Sequence, residues 1–571
     1  MKNLQTRNYV FLNAKSFLIL LSVLIFASCA DDDTNIPDDT VFLKDVLRAV
    51  GGVDAVKNAV TLSYHTEGNT FEYEQDIPTF PSPLTSNLYH YDFYTELAER
   101  KIRFDYHSIS FNHPAVYDTE GPLIIINDKK GSTSNYFYWA SYYFDIIDPH
   151  ALFSTEIEAH IKNQKMANPI ALLKEILENE GVDASTRTNT FSVNTRVEGL
   201  TIDLVIDPDT NMPVSARIKE SDFLQGDSTF EVFYEDWTKT GRLKYPATAD
   251  YQLNGDTLKR EKFTDIKFNP PLPEDTFTPE QVSLEIAFDE EQADFGILNS
   301  QFYHRWSAWN IPWPEPTNNG ALDLGNFDLT SVGVTDQYIG PKVKIFGRPD
   351  NRLWNVGIET PEGIVLVDAP LNQRWTRSLI DEAKKAFPGK EIISVIATHT
   401  HHDHFGGIRE AVYEADKVYI AEEGKEFLEN TLKRKFTLQP DNLAKSPKNV
   451  DIEVVSDVTY LDNGNIEIHR LLPQNTSFVP HAKDMLFVYM PEYELLIQAD
   501  QLWNGIFSAI WNGQSVRGFT PKTKEELSNN AAYLLDYIKE KDLKVSKIAA
   551  MHGGLGPYQD LLNVAAYLGG N

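Results

Sequence analysis

Hydrophobic and polar positions alternate with period two through much of the first half of the chain. Lys101-Ile102-Arg103-Phe104-Asp105-Tyr106 and Thr201 to Ile206 place apolar side chains on one face and polar ones on the other, as half-buried strands do. The second run leads into the turn Asp207-Pro208-Asp209-Thr210-Asn211 and another strand, Val214 to Ile218, and Asn254-Gly255 marks a further hairpin. Phe42, Val46, Leu47 and Val50 instead recur at helical spacing, and Gly51-Gly52 close that opening helix. Residues 41–280 are therefore expected to form a mainly antiparallel, strongly curved β domain with few helices. Residues 281–335 contain Trp306, Trp309 and Trp313 and a Gly/Asn-rich piece from Asn318 to Asn326, and read as an interdomain connection with the tryptophans packing an interface.

From about Asp336 the period changes. Ile364 to Val367 is an apolar run ending in Asp368, Thr376 to Phe387 an amphipathic helix, and Ile392 to Ala397 a second apolar run. A helix follows from about Gly407, then a third strand over Lys417 to Ala421. Strands alternating with helices predict an α/β domain over 336–571.

The first 29 residues have the form of an export signal. Lys2, Arg7 and Lys15 form a basic start, and Phe17 to Ala27 an apolar run shorter than the about 20 residues a bilayer requires. Ala27-Ser28-Cys29 resembles the lipobox of bacterial lipoproteins, with Phe26 where that pattern prefers Leu. The resemblance implies a lipid on Cys29 and anchoring in the cell envelope, at the outer membrane. Residues 30–40, beginning Ala30-Asp31-Asp32-Asp33, are an acidic tether with nothing to bury. Cys29 is the only cysteine, which excludes an intramolecular disulfide and a thiolate metal site. With 52 Lys and Arg against 83 Asp and Glu, the formal charge of −31 opposes a nucleic-acid partner. Nothing in the chain fixes an oligomeric state.

The chemistry concentrates after the strand Ile392 to Ala397, in Thr398-His399-Thr400-His401-His402-Asp403-His404-Phe405-Gly406-Gly407. With 14 His in the chain, a chance His-x-His-x-Asp-His match has odds of about 10⁻³. The C-terminal end of a buried strand is where α/β folds collect functional groups. In extended backbone, residues two apart point the same way, so His399 and His401 can converge on one cation. Asp403 and His404 stand where the chain turns into a helix and can address a second, and Gly406 and Gly407 let that helix start close by. The same alternation turns His402 away from the metals.

The motif resembles the hallmark of the metallo-β-lactamase superfamily, and the resemblance covers about Asp336 to the end. It implies an αββα sandwich and two zinc ions per chain. His399, His401 and His481 would hold one and Asp403, His404 and His552 the other, with Asp500 bridging. Asp368 would support the ligands from behind. Pro370 replaces the family's usual Gly, and Ala482-Lys483 its common Thr-Pro after the third His. Phe405, Trp503, Asn504 and Trp511 are candidates for the substrate pocket. The implied reaction is hydrolysis by a hydroxide shared between the metals, with Asp403 as the catalytic residue that orients it. The substrate is expected to be a small-molecule carboxylic ester, lactone or amide.

Alkyl sulfatases have similar text around the motif but carry further domains after it, whereas here Gly553 to Asn571 alone follow His552. Flavodiiron-type oxygen reductases usually have Glu at the place of His401. The β-rich first half resembles the domain that accompanies some exported hydrolases and the lipoprotein-carrier half-barrel. It supports an alternative, in which a surface lipoprotein binds a lipid, glycan or partner and its metals are structural.

Overall fold

Clear period-two alternation produces strands. Lys101–Phe111, Thr201–Ile206 and Pro213–Asp222 are antiparallel strands of one 14-stranded sheet. Asn254 and Gly255, with φ of 53° and 97°, turn the chain between Thr248–Leu253 and Asp256–Phe268. The computed structural model describes residues 38–72, 84–111, 117–119, 123–134, 149–152, 154–178, 182–185, 189–194, 201–282, 285, 287–288, 333–347, 354–472, 480–502 and 521–569. The export signal with Cys29, most of the tether, and Trp306, Trp309 and Trp313 lie outside the described residues.

The opening helix spans Asp38–Val50 and buries Val46, Leu47 and Val50 against the sheet. Two further helices, Ser154–Ala167 and Pro169–Glu178, interrupt the expected run of strands. The first has no polar face to betray it, because Glu156, Glu158, His160 and Lys162 are all buried. Lys162 Nζ lies 3.6 Å from Glu220 Oε2, and Glu158 pairs with Arg100. Glu158 and Lys162 are thus carried inward with partners of opposite charge, as burial requires.

The second half has four layers. Strands Gly333–Gly340, Val343–Gly347, Trp354–Glu359, Ile364–Val367, Ile392–Ile396, Lys417–Ile420 and Asp451–Val454 lie side by side in chain order. Pairing is antiparallel up to Ile364–Val367 and parallel after it. A second sheet contains six strands, from Val458–Leu461 to Gly554–Pro557. Val356, Val367 and Ile396 of the first sheet share a core with Ile468, Val488 and Ile497 of the second. Helices Gln373–Ala386, Ile408–Glu414 and Glu422–Lys433 cover the first sheet's outer face, and Pro521–Glu540 and Tyr558–Gly569 that of the second. This is the expected αββα sandwich.

The boundary between the halves is less simple than a connecting segment. Strand Gly333–Gly340 starts ahead of the expected border at 336. More consequentially, the hairpin between Pro213–Asp222 and Gly226–Glu235 reaches into the sandwich. Phe223 and Leu224 at its tip are buried in one cluster with Leu366, Leu371, Trp375 and Phe405. The Phe223 carbonyl accepts from Gln373 Nε2 at 3.2 Å, and the Asp227 carboxylate accepts from the backbone N–H of Thr437 and Leu438 at 2.8 and 2.9 Å. Part of the expected β domain is thus core of the α/β domain.

Candidate metal centre

Apolar strands place the ligands at their ends. Ile364–Val367 ends at Asp368, Ile392–Ile396 runs into Thr398 and His399, and Leu495–Gln498 ends two residues before Asp500. His481 precedes Leu486–Met490, and His552 follows Lys547–Ala550. After His401 the chain makes one helical turn, His402–Phe405, and then enters the helix Ile408–Glu414. The two glycines between are required by space: a Cβ on Gly406 would overlap the Leu371 carbonyl, and one on Gly407 the Thr376 hydroxyl. Backbone bonds from Ala369 N–H to the His404 carbonyl, at 3.0 Å, and from Gly407 N–H to the Ala369 carbonyl, at 2.8 Å, tie this turn to the loop after Asp368.

The sequence candidates form two buried groups that share a carboxylate. His399, His401, His481 and Asp500 make one, and Asp403, His404, His552 and Asp500 the other. Asp500 Oδ2 faces the first, 3.2 Å from His481 Nε2 and 3.8 Å from His399 Nε2. Asp500 Oδ1 faces the second, 3.1 Å from His404 Nε2 and 3.3 Å from His552 Nε2. Asp403 Oδ2 lies 3.2 Å from His552 Nε2. His402 is buried but belongs to neither group.

The arrangement fits metal ions better than it fits itself. His399 Nε2, His404 Nε2 and Asp500 Oδ1 are buried without a hydrogen bond of acceptable geometry, a costly arrangement unless a cation satisfies them. Every donor is imidazole nitrogen or carboxylate oxygen, a set suited to zinc. Charge is already sorted in the metal-free chain. Burial pushes the Asp500 and Asp403 carboxyls up, but the surrounding imidazoles, His404 foremost and His552 with it, together outweigh it and hold both well below the usual range. Burial keeps His399 neutral, lowered well below an ordinary imidazole.

Behind the ligands, Asp368 Oδ2 lies 3.0 Å from His404 Nδ1 and accepts from the Thr398 hydroxyl at 3.0 Å, while Oδ1 accepts from Thr398 N–H at 2.8 Å. The Asp368 backbone is left-handed, φ 66°, which turns its carboxylate under the motif. Three supporting residues escaped the sequence reading. Thr398 also contacts His399 Nδ1 at 3.1 Å, Asp484 accepts from Thr400 N–H at 2.9 Å, and Gln501 accepts from His481 N–H. Their one local signal is adjacency to a ligand, since each lies within three residues of one.

The pocket candidates fare differently. Phe405 is a correction: it is wholly buried, packs on Phe427 with ring centroids 5.7 Å apart, and belongs to the core beneath the first sheet. A residue at the end of the helical turn points back into the layer that anchors it, away from the site. Trp503, Asn504 and Trp511 lie outside the described residues.

A family model covers the residues of this centre. The model of the metallo-β-lactamase superfamily matches residues 356–552, a span that holds all seven ligand candidates and Asp368. A type 2 metallo-β-lactamase of Bacillus cereus is 30% identical over 142 residues, 24% of this chain and 46% of that one. A linear primary-alkylsulfatase of a Pseudomonas species is 39% identical over 186 residues, 30% of this chain and 24% of that one. The chain therefore spans less than half the length of either relative. The solved metallo-β-lactamase from Pontibacter korlensis aligns with 42% of this chain and 100% of its own, at 16% identity and a TM-score of 0.30.

Proposed function

Residues 356–552 form a metallo-β-lactamase superfamily domain, and from that premise we propose that the protein is a two-zinc hydrolase of a small-molecule carboxylic ester, lactone or amide. The observation that carries this reading is Asp500, whose two oxygens divide between two buried ligand groups. A structural zinc site fills four positions and excludes water, so it has no use for a shared carboxylate. Zinc bound there would supply Lewis acidity and a water acidified to a pKa of about 7.

The chain's own groups supply the rest. Asp403 is ionised and near His552 and His404, placed to orient a water and take its proton at Oδ2. Asp368 fixes a proton on His404 Nδ1 and so directs Nε2 to the centre. His399, neutral in its buried position, offers a lone pair without first losing a proton.

A second reading, sulfate-ester hydrolysis, is supported by the 39% identity with the alkylsulfatase, higher than the 30% with the β-lactamase. Zinc analysis of the full chain, followed by a panel of esters, lactones, β-lactams and alkyl sulfates, tests both. Close to two ions held by the two ligand groups of the sandwich, and cleavage of an acyl substrate, are expected. Cleavage of alkyl sulfates alone replaces the first reading with the second. No cleavage by fully metallated protein favours the alternative of a binding lipoprotein with structural metals. The lipobox-like Ala27-Ser28-Cys29 supports lipid anchoring to the outer membrane. Membrane fractionation tests it, with Cys29→Ser expected to release the protein or leave it unprocessed.

A further inference from the structure

The sheet of the N-terminal half gathers a second group of metal-ligating side chains, far from the sandwich in sequence. Strand Thr61–Glu72 pairs with Leu84–Glu96 in a register that sets His65 opposite Asp92 and Glu67 opposite His90. Leu84–Glu96 pairs in turn with Lys101–Phe111, where the register shifts between His90 and Tyr91. Tyr91 opposes Tyr106 and His90 opposes Ser108, so His107 is the extra residue of the bulge. Tyr64, Tyr91 and Tyr106 turn inward and are buried, and alternation sends His65, His90 and Asp92 to the opposite face. There they meet His107: three of the chain's 14 His lie on one three-strand patch.

Asp92 serves two imidazoles at once. Its Oδ1 is 2.8 Å from His65 Nδ1 and its Oδ2 is 2.9 Å from His107 Nε2. The His90 ring stands beside them, with centroids 5.9 Å from that of His65 and 5.5 Å from that of His107. The histidines and Glu67 line an open groove of about 590 Å³. Packing does not demand this combination, because the side chains of His65, Asp92 and His107 are 30%, 37% and 46% exposed, and a solvated strand face accepts almost any polar residue.

We propose that His65, Asp92 and His107, with His90 beside them, form a further metal site on the N-terminal sheet, for a borderline divalent transition ion such as Zn2+. One donor atom from each of the three lies within 4.8 Å of the others. Around tetrahedral zinc with bonds of about 2.0–2.1 Å, neighbouring donors stand about 3.3 Å apart. Rotation of three partly exposed side chains closes that gap without moving the sheet. Two or three imidazoles with one carboxylate select against Mg2+ and Ca2+, which require oxygen ligands. The ionised Asp92 and the neighbouring Glu67 balance the charge of the ion, and the chain's net charge of −31 concentrates cations at its surface. The bound ion would cross-link three consecutive strands.

The test uses the full chain stripped by chelator and titrated with Zn2+ against a chromophoric competitor. Wild type is expected to bind one equivalent more than the double variant His65→Ala/His107→Ala. Asp500→Ala, which damages the centre of the sandwich, is expected to keep that equivalent, so failure of the two readings can be told apart. Equal uptake by wild type and double variant overturns the proposal. A local readout on unmutated protein is hydrogen exchange at the imidazole C2 positions of His65 and His107, followed by mass spectrometry. Zn2+ is expected to slow it, and unchanged exchange at both rings overturns the site.

Discussion

Asp368→Asn conserves volume while reversing a donor. In the native chain a carboxylate, which only accepts, meets three groups: Thr398 N–H at 2.8 Å, the Thr398 hydroxyl at 3.0 Å and His404 Nδ1 at 3.0 Å. That contact keeps hydrogen on Nδ1 and commits Nε2 to the centre. A carboxamide that leaves its oxygen on Thr398 N–H presents its NH₂ to His404, which must then accept at Nδ1 and carry its hydrogen on Nε2, where a metal would sit. Losing an orienting partner of this kind weakens metal binding by about 10–100-fold, or about 1.4–2.7 kcal/mol. The loss should fall on the group Asp403, His404, His552 and Asp500, with His399, His401 and His481 spared. Of the two equivalents held by the sandwich, zinc competition should show one weakened and one unchanged. Because no packing is removed, the melting temperature of chelator-treated protein should move by no more than about 2–4 °C. Both sandwich equivalents unchanged would refute the assignment of Asp368 as the residue that orients His404.

Three further outcomes follow from the same geometry. In the metal-free chain burial opposes a charge on His404, but Asp500 and Asp403 outweigh it and hold the ring's proton well above the usual imidazole range. An entering ion must displace that proton, so affinity should rise with pH through neutrality, with proton release seen by calorimetry in buffers of different ionisation heat. The metal-free fold shows the opposite sign, since a raised His stabilises fully below about pH 6.5 and loses that contribution as pH climbs through the folded value. Phe223→Ala empties a position 2% exposed and should cost about 3–5 kcal/mol in denaturant titration; an unchanged midpoint would mean that the hairpin does not dock. Asp403→Asn should cut turnover by about 10²-fold or more while the thermal melt stays near wild type, and full turnover would remove Asp403 from the chemistry.

The sandwich was legible because its strands are uninterrupted apolar runs. Ile364–Val367 has the bounds read from the pattern, and the His-x-His-x-Asp-His text sits at a strand end where geometry makes it conspicuous. Asn372 went unnoticed as a cap, although its side chain accepts from Trp375 N–H and moves the start of that helix ahead of Thr376. Ser154–Ala167 was illegible for a different reason. Its Glu158 and Lys162 are buried against partners distant in sequence, so the polar stripe that marks a surface helix is weakened. The meeting of His65 with Asp92 and His107 depends on strand register and one bulge, neither of which is written locally.

The Phe223 hairpin also bears on how the chain matures. Synthesis runs from the N-terminus, so the large sheet can close while the strands and helices that receive Phe223 and Leu224 are still to come. Until they arrive, a buried Phe-Leu pair is a greasy tip on an otherwise finished body. Such a tip is a ready mark for a holding chaperone, and it stays displayed if translation stops early. Docking it against Gln373 and beside Gly406 then joins completion of the second half to concealment of the first. A fragment ending before the sandwich should therefore be recognised by the cell as unfinished even though its own sheet is formed.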